Sequence, residues 1–410
     1  MSNRSSRTFL WESHVGIALT ALSLGRSLIN HAAPQHLSAP PRFGVLGTHP
    51  PALCGVAGFS AALVAGLEAN GANVTVVRVA DGSTSPDARV VGELVSDSAA
   101  SSAACADLLN QRDIAVIHHG FGIYGGANGA QLVDIMDGLR VPSIVVAHEI
   151  PSDPTASERS VFESIVAQAD HVVVTSDAAA RRLNSSFAVE RHKVSAIAHG
   201  ATIPLGVALK RAGRPTVLTW GLLGPGKGVE RVIDAMGALH ELRGRPQYVI
   251  AGPTHPKVVA AEGEAYREAR MEQVRNSGLT GSVVFDPAYR SGSALAAMVQ
   301  SSAVVVLPYD ASHQVSSGAL VNAVASGRPV VATAFPHAVE LLGTGAGIIV
   351  DHDDPEALTS ALRKVLSDPR LAGNMAAEGR RLAPTLAWPT LATSYLTLAQ
   401  RLLRERRALV

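Results

Sequence analysis

The segment Gly221-Leu222-Leu223-Gly224-Pro225-Gly226-Lys227-Gly228 sets one lysine inside a run of glycines. Glycine lets backbone amides come close to a ligand, and a helix beginning with a lysine beside it favours negative charge, so this combination suits a phosphate. It nearly spells a P-loop. A P-loop needs Ser or Thr after the lysine to hold magnesium, and Gly228 stands there. Phosphate binding through Lys227 and Gly224 is therefore expected and nucleoside triphosphate hydrolysis is not, a helix-start turn with a solvated lysine being the bland alternative.

Two further glycine-rich turns carry less information. Gly120-Phe121-Gly122-Ile123-Tyr124-Gly125 matches G-x-G-x-x-G, but a dinucleotide site belongs at the first strand of its unit. The acidic ribose partner about 20 residues on is also missing, since Arg140 to Ile144 occupy that region. Gly122 is expected instead to let this loop lie along a cleft, near an acceptor. Pro50 to Gly58 forms the third turn, with Gly58 placed to close over a ligand from the opposite side. His118 and His119 end one strand and His148 follows another. The histidine pair invites a metal reading, but no third ligand of matching spacing stands near, so no metal is expected. His148 is expected at the mouth of a cleft, against the alternative of a satisfied buried histidine.

The elements that must position these groups follow from periodicity. From Arg42 onward short β-branched runs alternate with stretches of helical period, the pattern of an α/β fold with doubly wound parallel sheets. The first half is expected to hold strands at 43–46, 73–79, 114–118, 143–148, 171–175 and 193–197. After a break rich in Pro and Gly near 200–215, the second holds strands at 216–220, 247–251, 282–285, 303–307, 329–332 and 347–350. The expected domains are 42–204 and 215–384, joined by a linker at 205–214, with a loosely ordered extension at 1–41. Two such Rossmann-like units face a central cleft, and ligands bind beyond the carboxyl ends of their strands.

Bulk composition agrees with a two-domain globular chain: 410 residues, 47% hydrophobic, with a formal net charge of +1, which disfavours nucleic acid as a partner. Cys54 and Cys105 are the only cysteines, which fits a reducing cytoplasm. The apolar run from Val15 to Ile29 has Glu12 and His14 close before it, a poor signal peptide. Arg401, Arg404, Arg406 and Arg407 make a basic tail for which a solvated helix end is favoured over contact with a membrane.

Over roughly residues 42 to 405 the chain resembles the family-4 retaining glycosyltransferases of GT-B fold, the glycosyl transferases of group 1. In that family the first strand of the C-terminal domain leads into G-R-L-x-x-x-K-G. This chain keeps the lysine as Lys227 and has Leu222 in place of the arginine. The family's E-x7-E motif is represented by Gln314 and Asn322, so both carboxylates have become amides, ahead of Pro329 to Thr333. Ala147-His148-Glu149, Ala198-His199-Gly200-Ala201 and Ala387 to Tyr395 also match, the last implying a C-terminal helix (385–410) that crosses back to the N-terminal domain.

The resemblance implies a cytoplasmic enzyme that moves a hexose from a UDP- or GDP-sugar to a hydroxyl acceptor with retention. Lys227, Gly58 and the amides of Ser316, Ser317, Gly318 and Ala319 would hold the diphosphate, Gln314 and Asn322 the sugar and ribose hydroxyls. Tyr289, with Arg290, would meet the base, while His118, His119, Gly122 and His148 would face the acceptor, His148 and Lys227 acting in catalysis. No metal is implied, because a lysine and helix ends can supply the positive field. A nucleotide-sugar binding protein that has lost transfer, a GT-B epimerase and a two-lobed solute-binding protein are the competing readings.

Overall fold

A computed structural model describes residues 40–203, 213–290 and 292–408. The expected extension, apart from its last two residues, and most of the expected linker lie outside the described residues. The first sheet contains β1 (Arg42–Gly47), β2 (Asn73–Val79), β3 (Val90–Leu94), β4 (Ile114–His119), β5 (Ser143–Ala147), β6 (His171–Val174) and β7 (Val194–Ala196). The second contains β8 (Thr216–Trp220), β9 (Gln247–Ala251), β10 (Val283–Asp286), β11 (Val304–Leu307), β12 (Val330–Thr333) and β13 (Gly347–Val350).

The strand orders are β3-β2-β1-β4-β5-β6-β7 and β10-β9-β8-β11-β12-β13, with every recorded pairing parallel. Parallel strands need crossover helices, which cover both faces; hence the continuous apolar runs of β4, β5 and β11, whose residues are buried throughout. In each sheet the order reverses once, between β1 and β4 and between β8 and β11. Loops leaving adjacent strands on opposite faces open a crevice there. In the second sheet that crevice receives the Gly221–Gly228 loop from β8 and Tyr309 after β11.

One strand was not expected. β3 lies at the edge of its sheet, alternates in exposure and carries Gly92, whose missing side chain makes room for Leu108, 2.5 Å from where a Cβ would stand. Its register comes from that tertiary packing rather than from an apolar run. The other strands match expectation to within a residue or two, His148 and Thr175 falling just beyond β5 and β6.

Several contacts join the lobes around the cleft. Ala201 pairs with Ala387, and its amide donates to the Leu386 carbonyl at 2.8 Å, so the chain crosses between lobes twice at one point. The helix Trp388–Ala408 then packs on the helix Gly55–Ala69, where Gly66 allows the approach: a Cβ there would lie 2.9 Å from the Trp388 carbonyl oxygen. On the other side Val315, from the second lobe, is buried in the first lobe's core, and the Ser176 hydroxyl donates to its carbonyl at 2.5 Å.

Candidate active site

At the crevice of the second sheet lies a cavity of about 390 Å³ whose lining brings together Lys227, Tyr289, Gln314, Ser316, Ser317, Gly318, Ala319 and Asn322. These residues come from segments almost a hundred positions apart, and most of the residues expected to meet a donor are among them. Lys227 is half-buried, its Nζ 4.7 Å from the centre of the Tyr309 ring, and among the described residues it has no carboxylate partner. A cation over an aromatic face, without a counter-charge, is held ready for an anion.

The glycine after the lysine is required by geometry. Gly228 has φ of +65°, and a Cβ there would lie 1.7 Å from the Pro308 carbonyl oxygen. A P-loop Ser or Thr cannot occupy this position. The loop is pinned from the other side, since the Asp310 amide donates to the Gly226 carbonyl at 3.0 Å.

The helix Gly318–Ala325 begins at the same cavity, with Ser317 capping it by accepting from the Leu320 amide at 3.2 Å. One expected contact is corrected: the Ser317 amide donates to His337 Nδ1 at 2.9 Å and is already spent. Among the described residues the amides of Gly318 and Ala319 have no acceptor, which leaves them as the donors of this helix start. Their approach depends on His199, whose Nδ1–H donates to the Gly200 carbonyl at 2.7 Å and whose Nε2 would lie 2.6 Å from a Cβ on Gly318. Gln314 and Asn322 spend one amide N–H each on the carbonyls of Ser316 and Gly318, both at 2.8 Å. Each keeps its side-chain oxygen as an acceptor for hydroxyl groups. The Ser316 hydroxyl shares a 2.7 Å bond with Thr175 of the first lobe.

Other expected residues fall elsewhere. The Gly58 amide is inside its helix, donating to the Cys54 carbonyl at 3.3 Å, so it is not free for phosphate; Gly55, one turn earlier, lines the cavity. Gly224 is buried beneath the loop and accepts from the Lys227 amide at 3.3 Å, shaping the turn without lining the cavity. His118 and His119 are buried below the cleft, where burial lowers their pKa values to about 3 and about 4. They are not open to an acceptor. Gly122 lies against Lys257, whose Nζ would be 2.8 Å from a Cβ there.

His148 is half-buried, with Nε2 3.1 Å from Nδ1 of His118. Burial first, then His118, His199 and His119, hold its pKa well below the ordinary histidine value, so it is neutral at pH 7. Phe59 ties this group to the donor cavity: its ring meets His118, His148, His199 and Trp388 edge-on, with centroids 5.4, 4.7, 5.1 and 4.7 Å away.

Several cavity residues lay outside the expected site, among them His199 and His255. His199 appeared in the sequence only as part of a matching stretch. His255 follows the Gly252-Pro253 turn after β9; its Nδ1 accepts from the Lys257 amide at 3.1 Å, leaving Nε2–H as the donor it can present. Its place in a loop beyond a strand's carboxyl end was the available signal. Arg290, named beside Tyr289 for the base, lines the cavity and pairs with Asp286 at 2.7 Å. The one D-x-D sequence, Asp351-His352-Asp353, follows β13 and does not line the cavity.

Two Rossmann-like lobes that meet over a cavity with a phosphate-type lysine loop and an open helix start define the GT-B class. The chain belongs to the group 1 and family 4 glycosyltransferases: the family model "Glycosyl transferases group 1" matches residues 206–382 and "Glycosyltransferase Family 4" matches residues 54–219. A relative from Nocardioides sp., D-inositol 3-phosphate glycosyltransferase, is 26% identical over 272 residues, 60% of this chain. The match spans 57% of that relative's length. Among solved structures, Anabaena HepE in complex with UDP and glucose superposes with a TM-score of 0.71 at 16% identity, covering 88% of this chain and 100% of that one. Sucrose-phosphate synthase from Thermosynechococcus elongatus gives 0.70 at 17% identity, covering 89% and 99%. Both share the fold.

Proposed function

We propose that the protein transfers a hexose from a UDP- or GDP-hexose to a hydroxyl acceptor with retention of anomeric configuration, without a metal ion and in the cytoplasm. The observation that carries this reading is the convergence of the unpaired Lys227 ammonium and the free amides of Gly318 and Ala319 on one cavity. In the proposed step the bond from the anomeric carbon to the diphosphate oxygen breaks while the acceptor oxygen bonds to the same face of that carbon. The acceptor proton passes to the leaving diphosphate, so no protein nucleophile is needed. The protein's part is to stabilise charge on the departing group and hold both reactants in register.

His148, neutral and half-buried, supplies a hydrogen bond to the transferring sugar or the acceptor, positioned by His118. The oxygens of Gln314 and Asn322 accept from hydroxyls, and Tyr289 and Arg290 border the base. Likeness to HepE, solved with UDP and glucose, and to an inositol-phosphate glycosyltransferase supports a nucleotide-sugar donor and a polar hydroxyl acceptor.

A second reading, nucleotide-sugar binding without transfer, is favoured by the neutral Leu222, Gln314 and Asn322. Incubation with a panel of UDP, GDP and ADP sugars, with and without acceptor hydroxyls, separates the two. Acceptor-dependent release of nucleoside diphosphate, with a product that keeps the donor's anomeric configuration, supports retaining transfer; tight binding of every donor with no release supports the second reading.

A further inference from the structure

Away from the donor cavity, a groove of about 900 Å³ runs between the Trp388–Ala408 helix and the β7 edge of the first sheet. Its floor is His171, the first residue of β6 and 2% exposed. Arg401 Nη2 lies 3.1 Å from His171 Nδ1, and His171 Nε2 lies 2.7 Å from the Ser195 hydroxyl. A guanidinium only donates, which makes Nδ1 the acceptor and places the histidine proton on Nε2. That proton goes to Ser195, whose own hydroxyl proton is left for a ligand. The order of donors along Arg401, His171 and Ser195 thus runs outward from the helix to the groove.

Charge favours the same ligand. Arg401 and Arg404 line the groove and no carboxylate does; Glu405 touches Arg401 only at 3.8 Å, along the helix, while His192, also in the lining, has Glu190 3.6 Å from its Nε2. Arg404 donates through Nε to the Gln400 carbonyl at 3.2 Å and has no carboxylate partner among the described residues. The whole chain carries a formal net charge of only +1, so this groove concentrates cation where the protein as a whole does not.

We propose that the groove is a second ligand site that takes a phosphate group, gripped by Arg401 and Arg404 and bonded by the Ser195 hydroxyl. Guanidinium groups bind phosphate oxygens through charge-assisted, often bidentate bonds, and a hydroxyl with a free proton adds a neutral donor. The phosphate belongs either to a soluble phosphate ester or to a lipid headgroup. The Trp388–Ala408 helix that forms one wall begins at Trp388, whose ring meets Phe59 and His199 beside the donor cavity, so occupancy of the groove bears on an element shared by both lobes.

The test uses inorganic phosphate as the probe, titrated at constant ionic strength against the full chain, with the thermal midpoint as readout. Three proteins are compared: the unsubstituted chain, Arg404→Gln, which changes an exposed side chain, and Lys227→Ala, which changes the donor cavity. The expected result is a saturable rise in the first and third and at least fivefold weaker binding in Arg404→Gln. Equal responses in all three, the mark of a salt effect, would overturn the proposal, as would a response abolished by Lys227→Ala. A parallel sedimentation with phosphatidylcholine vesicles, with and without phosphatidylglycerol, assigns the source. Pelleting that requires phosphatidylglycerol and Arg404 supports a lipid headgroup, and a phosphate response without pelleting supports a soluble ester. Because neither readout involves a nucleotide sugar, failure here leaves the transferase reading intact, and the reverse also holds.

Discussion

Glu340 in the second lobe accepts a hydrogen bond from the backbone amide of Ala178 in the first, at 2.8 Å, and its other oxygen accepts from Asp177 at 3.1 Å. A carboxylate on one lobe thereby caps the beginning of the helix Asp177–Ser186 on the other, where the first-turn amides and the helix dipole both favour negative charge. Together with Thr175 to Ser316 and Ser176 to Val315, this cap fixes the side of the cleft from which the Gly318 helix start is presented.

Replacing Glu340 by Ala removes that cap while Ser176 still accepts from the Ala179 amide at 2.9 Å. The expected cost is about 1 kcal/mol in urea unfolding, with faster hydrogen exchange at the amides of Asp177 and Ala178. Unchanged exchange at those two amides would show that the contact between the lobes contributes nothing in solution.

Gly228→Ser, the change that would complete a P-loop, is expected to destabilise the protein by ~3 kcal/mol and to give no nucleotide hydrolysis. The new Cβ meets the Pro308 carbonyl in a left-handed backbone conformation, so the loop or β11's exit must shift. A stable variant of normal unfolding midpoint would contradict the loop geometry described above.

Restoring carboxylates at Gln314 or Asn322 is expected to lower activity. Each amide nitrogen now donates to a main-chain carbonyl, that of Ser316 or Gly318, and a carboxylate oxygen would face the same carbonyl with no proton to give. Losing such a bond and leaving an acceptor unpaired costs about 1–3 kcal/mol. Steady-state transfer by Gln314→Glu and Asn322→Glu tests this; a large gain in either would mark the native amides as decay rather than adaptation.

Acid sensitivity follows from the buried histidines. His118, His119, His148, His171, His199 and His337 all have pKa values lowered chiefly by burial, those of His119, His171, His199 and His337 to about 4. The unfolded chain takes up these protons below about pH 6.5, while in the folded chain His119, His171, His199 and His337 refuse them until near pH 4. Stability is therefore fully present above pH 6.5 and falls as the pH drops through that window, each group adding a slope of about 1.4 kcal/mol per pH unit. Urea midpoints at pH 7, 6 and 5 should decline progressively; a flat profile would mean that these rings are hydrated.

Much of this architecture was legible in residue order because parallel strands buried on both faces are written as uninterrupted apolar runs rich in β-branched residues, as in Ile114 to Ile117 and Val304 to Leu307. β3 was not, since its half-exposed edge and Gly92 carry no such run. The donor side of the cavity was legible for the same reason that motifs exist: Lys227 and Gly318 depend on local backbone conformation. What residue order could not show is which polar groups are already satisfied. The Ser317 amide is taken by His337 and the Gly58 amide by its own helix, both decided by packing. His118 and His119 end a strand and so suggested a ligand, yet they lie beneath the cleft because Phe59 and the following loop cover them.

The central claim, that Lys227 with the Gly318 and Ala319 amides holds a diphosphate, is tested most directly by equilibrium binding of UDP and GDP to the unsubstituted chain and to Lys227→Ala. A charge-assisted bond of about 1.5–3 kcal/mol predicts that at least one of the two nucleotides binds roughly 10- to 150-fold more weakly to the variant, with an unchanged unfolding midpoint in the absence of ligand. Equal affinity of both proteins for whichever nucleotide binds would contradict it.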